Sequence, residues 1–227
     1  MRIGILQTGH VADDLIPESG DYPEIFARFL AGHGFEFVTY AVCDGLFPEG
    51  PDVAEGWLIT GSKHGAYEAH DWIPPLEALI RAIHDSGKPL VGICFGHQII
   101  AQALGGRVEK FGGGWSVGRQ DYVLNGNRYS LNAWHQDQVV DAPEAASVVA
   151  TSDFCQNAGL LYGDRAFTLQ PHPEINATYL RGLLDKRAPG VVPDALRDAA
   201  RNALGQPTDS AALSDMIALF FREKRIS

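Results

Sequence analysis

The chain alternates short apolar runs with longer stretches in which apolar residues recur every three or four positions. Arg2-Ile3-Gly4-Ile5-Leu6-Gln7 reads as a first strand, and Tyr22 to His33 as a helix ended near Gly34. Phe35 to Tyr40 and Gly56 to Thr60 read as second and third strands. Trp72 to Ser86 reads as a helix with Leu76, Leu79, Ile80 and Ile83 on one face. Lys88 to Ile93 is another short apolar strand, and Gln98 to Leu104 a helix stopped by Gly105-Gly106. Such alternation predicts an α/β fold: a mostly parallel central sheet with helices on both faces and ligands beyond the C-terminal strand ends.

The pattern changes between about residues 107 and 169, where short strands are separated by Gly112-Gly113-Gly114, Asn125-Gly126-Asn127 and Gly163-Asp164. These predict antiparallel hairpins that extend the sheet. Pro193 to Leu204 and Ser210 to Lys224 read as two amphipathic helices broken at Gly205-Gln206-Pro207. Met216, Ile217, Leu219, Phe220 and Phe221 give the second a strongly apolar face, which either packs back on the domain or forms a homodimer or partner surface.

Composition narrows the class. At 227 residues with 45% hydrophobic content, the chain suits one domain over 1–227, its core about 1–185 and its C-terminal helical extension about 189–227. A formal charge of −10 argues against nucleic acid as a partner. No basic start leads into an apolar run and no stretch approaches a membrane span, so no membrane partner and a cytoplasmic location are expected. Cys43, Cys94 and Cys155 show neither disulfide nor zinc spacing, and Cys43 and Cys155 read as packing residues. His10, His33, His70, His84 and His97 have no ligand spacing, so neither metal nor cofactor is expected.

One cysteine stands apart. Gly92-Ile93-Cys94-Phe95-Gly96-His97-Gln98 puts Cys94 in the turn between strand and helix, where unpaired N–H groups and the helix dipole favour a thiolate. Gly92 and Gly96 omit side chains where strand and helix pass closely, and either can take strained backbone geometry. Further on, Phe167-Thr168-Leu169 runs into Gln170-Pro171-His172-Pro173-Glu174. The prolines favour extended backbone and so hold His172 and Glu174 on the same side. A nucleophilic cysteine needs a base, and the base a group that fixes its tautomer; Cys94, His172 and Glu174 supply these roles.

With these two motifs the chain resembles the class I, triad-type glutamine amidotransferases over about residues 1–185. Trp134-His135-Gln136-Asp137 and Val139 are similar to the matching segment of the GMP synthase glutaminase domain. The resemblance implies Cys94 as nucleophile, His172 as base and Glu174 as the orienting carboxylate, with glutamine losing ammonia through a γ-glutamyl thioester. An oxyanion hole would use the N–H of Phe95 and a donor near Gly61 or Ser62, although Thr60-Gly61-Ser62-Lys63 departs from the Gly-Gly-Pro of many relatives. Gln98 would line the glutamine pocket or merely cap its helix. Gly113 would bring backbone close to the substrate or belong to a flexible hairpin. Trp134, His135 and Asp137 would shape the pocket or form an ordinary turn. Lys63 and His64 read as partners for a substrate carboxylate or as solvated loop residues.

No synthetase domain fits this length and no phosphate loop is present. The ammonia would therefore pass to a separate synthetase subunit, or the chain acts alone on another γ-glutamyl compound, as a γ-glutamyl peptidase does. A non-catalytic binding module is the remaining, lesser reading.

Overall fold

The computed structural model describes residues 1–227. Eleven strands and seven helices follow one another as β1 (Arg2–Gln7), α1 (Ile16–Ser19), α2 (Tyr22–Phe29), β2 (Glu36–Ala41), β3 (Gly56–Ile59), α3 (Ile73–Ser86), β4 (Leu90–Ile93) and α4 (Phe95–Ala103). They continue through β5 (Arg107–Lys110), β6 (Ser116–Leu124), β7 (Asn127–His135), β8 (Asp137–Asp141), β9 (Ser147–Thr151), β10 (Gly159–Tyr162) and β11 (Ala166–Leu169), and end with α5 (Ala177–Lys186), α6 (Asp194–Asn202) and α7 (Ser210–Glu223). Nine strands form one sheet in the order β2-β1-β3-β4-β11-β10-β9-β6-β7. The five from β2 to β11 pair in parallel, and the rest pair antiparallel. The α/β architecture with an antiparallel extension is the one the apolar pattern predicts. β5 and β8 form a separate two-stranded sheet.

Strands β3, β4 and β11 are buried at every position, as expected of a parallel sheet covered on both sides. Their alternating residues serve two cores. Ile3, Leu58, Val91, Ile93 and Phe167 meet Phe26 of α2 on one face, while Trp57, Ile59 and Leu90 meet α3 and α4 on the other.

The apolar face of α7 belongs to the first of these cores. Leu213, Ile217, Phe220 and Phe221 are buried with Ile3, Phe26 and Phe167, and Met216 packs at the edge. The helix therefore packs back on the sheet, and this face is not a dimer surface. Its start is tied down as well: Ser130 N–H donates to Asp209 (2.7 Å) and Ser210 Oγ to the Pro173 carbonyl (2.5 Å). No helix is long and apolar enough to cross a membrane.

Three expectations need correction. Helix α2 stops at Phe29 instead of reaching His33, because Gly32 (φ 89°) and Gly34 (φ 70°) take left-handed backbone that a helix cannot contain. Gly112 to Gly114 do not turn a hairpin. The strands on either side pair in different sheets, β5 with β8 and β6 with β7, so the glycines carry the chain between sheets. Helix α4 begins at Phe95, three residues before the expected Gln98, so Cys94 itself is its N-cap.

Candidate active site

Cys94 closes β4 and opens α4 in a single residue. Its backbone (φ 54°, ψ −103°) lies in a sparsely populated left-handed region that costs a non-glycine residue about 1–3 kcal/mol. The strain is on the cysteine, not on Gly92 or Gly96. Those two glycines answer a packing need. A Cβ on Gly92 would stand 2.5 Å from the Gly96 carbonyl oxygen, and one on Gly96 would stand 2.4 Å from that of Ile59. Backbone bonds lock the bend, from Cys94 N–H to the Leu169 carbonyl (2.8 Å) and from Gly96 N–H to that of Thr60 (3.1 Å). The end of β4 is thereby joined to the ends of β11 and β3, its neighbours in the parallel sheet.

The turn after β11 brings His172 and Glu174 to the same place. His172 N–H donates to the Asn132 carbonyl of β7 (2.8 Å), and Asn132 Nδ2 donates to that of Ile175 (2.8 Å), so β7 clasps the turn from both sides. His172 Nδ1 donates to Glu174 Oε1 at 2.6 Å, with side-chain exposures of only 5% and 0%. This fixes the tautomer and leaves Nε2 as the free ring nitrogen. Burial disfavours the imidazolium, but the charge of the Glu174 carboxylate, followed by negative charge and hydrogen bonding at the Cys94 sulfur, outweighs it and holds the His172 pKa well above its usual range. The other two cysteines are poor thiolates. Burial pushes Cys43 up to about 11 and Cys155 up to about 12.

The loop leaving β3 presses on this group. A Cβ on Gly61 would lie 3.2 Å from His172 Cε1 and 3.9 Å from Cys94 Cβ. The Gly61 carbonyl accepts from Thr8 Oγ1 (3.1 Å) and Thr60 Oγ1 (3.0 Å). In a trans peptide the N–H of Ser62 then points the opposite way. The Ser62 hydroxyl is engaged elsewhere, donating to the Thr8 carbonyl at 2.7 Å.

A cavity of about 430 Å³ opens above Cys94 and His172. Trp134 and His135 line it, as do Asp137, Lys63 and His64. Gln98 also reaches it, but its amide donates to the Asp137 carbonyl (2.9 Å) and Gln170 Oε1 (3.0 Å), bracing α4 against the start of β8. Gly113 is not part of the lining. Its Cα turns towards the Phe111 ring, where a Cβ would stand 2.4 Å away, and Trp115 reaches the cavity from that loop instead.

Sequence reasoning passed over Tyr22, Tyr179, Lys110 and Arg187, all of which line the cavity. Tyr22 and Tyr179 stand with their hydroxyls close to each other, and burial raises the pKa of both. A signal for Tyr22 existed. It opens α2 directly after the Asp21 capping box, in the connection leaving the C-terminal end of β1, where α/β sheets collect ligand contacts. The others carry no local signature.

Two buried histidines stand at the cavity, His135 in its wall and His97 outside the lining. His97 Nδ1 meets Thr168 Oγ1 (2.8 Å) and His135 Nδ1 meets the Asp137 carbonyl (3.2 Å), while the Nε2 atom of each has no protein partner. Burial first, and a neighbouring histidine second, lowers both from 6.5 to about 3. The unfolded chain therefore binds more protons than the folded one between these values. The stability these groups contribute is complete above pH 6.5 and lost as pH falls towards 3, at up to about 1.4 kcal/mol per pH unit for each histidine. His172, with its raised pKa, acts in another window: its contribution is full below 6.5 and is lost at higher pH. Urea unfolding should accordingly show a lower midpoint at pH 5 than at pH 7, with a shallower dependence in His97→Asn. Equal midpoints at the two pH values would contradict the neutral buried pair.

Residues 64–183 match the family described as glutamine amidotransferase class-I. The γ-glutamyl peptidase 4 of Arabidopsis thaliana is 33% identical over 183 residues, spanning 74% of this chain and 73% of that protein. A glutamine-hydrolysing GMP synthase of Bordetella parapertussis is 31% identical over 198 residues, which are 78% of this chain and 34% of the synthase. Among solved structures, the crystal structure of a glutamine amidotransferase from Thermotoga maritima shares the fold with a TM-score of 0.73. It covers 99% of this chain and 97% of its own, at 23% identity.

Proposed function

Because the chain belongs to the class I glutamine amidotransferase family, we propose that it is a cysteine hydrolase that cleaves the amide bond of a γ-glutamyl group. The arrangement that carries this reading is Cys94, on a strained elbow at a helix N-terminus, facing a buried His172–Glu174 pair across the floor of a ligand-sized cavity. The Cys94 sulfur attacks the γ-carbonyl carbon. His172 holds the thiol proton and passes it to the departing nitrogen, which leaves as ammonia or as an amine. Water then attacks the thioester with His172 as base, glutamate departs and the thiol is restored. Glu174 keeps Nδ1 protonated and stabilises the imidazolium throughout. The oxyanion is held by the N–H of Phe95, at an unpaired position in the first turn of α4, and by the N–H of Ser62 in preference to Gly61.

The similarity to the γ-glutamyl peptidases and the cationic residues of the cavity wall favour the γ-glutamyl peptidase reading over free glutamine. A cavity of about 430 Å³ falls in the range, roughly 300–1,000 Å³, of small-molecule sites. Lys63, Lys110 and Arg187 in its wall supply charge for a leaving group that bears a carboxylate. The similarity to GMP synthase supports a second reading, in which a separate synthetase subunit takes ammonia from glutamine.

Steady-state rates on a γ-glutamyl dipeptide, glutamine and asparagine separate the two. The peptidase reading expects the highest kcat/KM on the dipeptide. Asparagine, one methylene shorter, should react roughly 10- to 200-fold more slowly than glutamine. Weak glutamine turnover that rises when a synthetase is added supports the second reading. Equal turnover of asparagine and glutamine contradicts both, and absence of any turnover by folded protein favours a missing partner or a binding module.

A further inference from the structure

The loop between β3 and α3 brings together three ligating side chains that sequence spacing did not reveal. The ligand atoms of His64, Glu68 and His70 all lie within 4.8 Å of one another. Glu68 Oε2 stands 2.7 Å from His70 Nε2 and 3.4 Å from His64 Nδ1, and the two rings meet edge to face with centroids 4.2 Å apart. Trp72 holds the rings in place, stacked on His70 (5.7 Å, 13°) and edge-on to His64 (5.9 Å). Backbone bonds from His64 N–H to Ser62 Oγ (3.2 Å) and from Glu68 N–H to the Gly65 carbonyl (3.0 Å) brace the loop.

We infer that His64, Glu68 and His70 form a binding site for a zinc-class divalent ion in the wall of the cavity. Two imidazoles and one carboxylate make a donor set that such ions favour, with a fourth tetrahedral position left for water or a ligand. Tetrahedral bonds of about 2.0–2.1 Å require donor atoms somewhat over 3 Å apart, a spacing the Glu68–His64 contact (3.4 Å) already has and to which the remaining donors, all within 4.8 Å of one another, can be brought by side-chain rotation. Side-chain exposures of 25%, 44% and 33% leave it open to an ion from solvent. His64 and Glu68 both line the cavity that Cys94 opens into, so an ion here would sit in the wall of the substrate site.

A second cluster, His10, Cys43 and Asp44, is also close enough to ligate. It is the poorer candidate. Its Cys43 thiol, pushed up to about 11, would have to lose its proton before it could ligate. The binding inference stands or falls apart from the proposed reaction, because it is read without turnover.

Cobalt(II) and zinc titrations of Cys94→Ala protein test it. This background removes the rival thiol in the cavity. The expected result is one ion bound per chain, with the visible d–d bands of tetrahedral cobalt and no thiolate-to-cobalt charge-transfer band. His70→Ala and Glu68→Gln should each weaken binding by more than the roughly 10- to 100-fold that loss of an outer partner costs. Glu68→Gln keeps the size of the side chain and so serves if His70→Ala disturbs the loop. His10→Ala should leave binding unchanged. Absence of binding, a thiolate band, retention of affinity in both ligand variants or loss of binding in His10→Ala would each overturn the inference.

Discussion

Replacing Cys94 with alanine is expected to lower kcat by on the order of 10⁴- to 10⁶-fold while leaving the fold intact. The sulfur is the proposed attacking atom, and neither remaining cysteine can take its place. Cys155 is buried in the sheet core and Cys43 lies in the connection after β2. Stability should respond differently from activity. Alanine inherits the left-handed backbone at position 94 (φ 54°), whereas glycine relaxes it. Cys94→Gly should thus be as inactive as Cys94→Ala yet more stable, by up to about 1 kcal/mol, in urea unfolding. Substantial turnover in either variant would remove Cys94 from the mechanism.

His172 and Glu174 should behave as one unit in kinetics and as opposed partners in stability. His172→Ala should cost nearly as much activity as loss of Cys94, and Glu174→Ala roughly 10- to 100-fold less, because Glu174 orients the ring without taking the proton. The double variant should be no less active than His172→Ala alone. In stability, His172→Ala strands a carboxylate whose side chain is 0% exposed and whose Oε2 already lacks a partner. Breaking such a buried pair costs about 3–5 kcal/mol. Removing Glu174 as well relieves that charge, so the double variant should unfold at higher urea than His172→Ala. Full activity in Glu174→Ala would leave Glu174 as a turn residue only.

Much of this arrangement was legible in the chain. Continuous apolar runs such as Trp57-Leu58-Ile59 and Leu90-Val91 announce strands buried on both faces, and a cysteine between glycines at a strand end announces the elbow. The Pro-His-Pro-Glu turn announces a rigid partner, because proline restricts both itself and its predecessor. What escaped reading is non-local. Periodicity shows that α7 has an apolar face but not that Phe26 and Phe167 meet it. The glycines at 92 and 96 look like sites of strain, yet the close approach of Ile59 and Gly96 backbone consumes them and leaves the strain to Cys94. Tyr179 and Arg187 lie on α5 or just beyond it and reach the cavity only because the turn after β11 directs that helix past it. His64, Glu68 and His70 converge through loop turns that no regular spacing encodes.

The central claim is a γ-glutamyl thioester on Cys94, and rapid acid quenching during turnover of a γ-glutamyl dipeptide, followed by peptide mapping in a mass spectrometer, tests it most directly. The account predicts a γ-glutamyl adduct on the peptide containing Cys94, absent from Cys94→Ala and lost on treatment with hydroxylamine. An adduct on Cys43 or Cys155, or sustained turnover with Cys94 unmodified throughout, would contradict it.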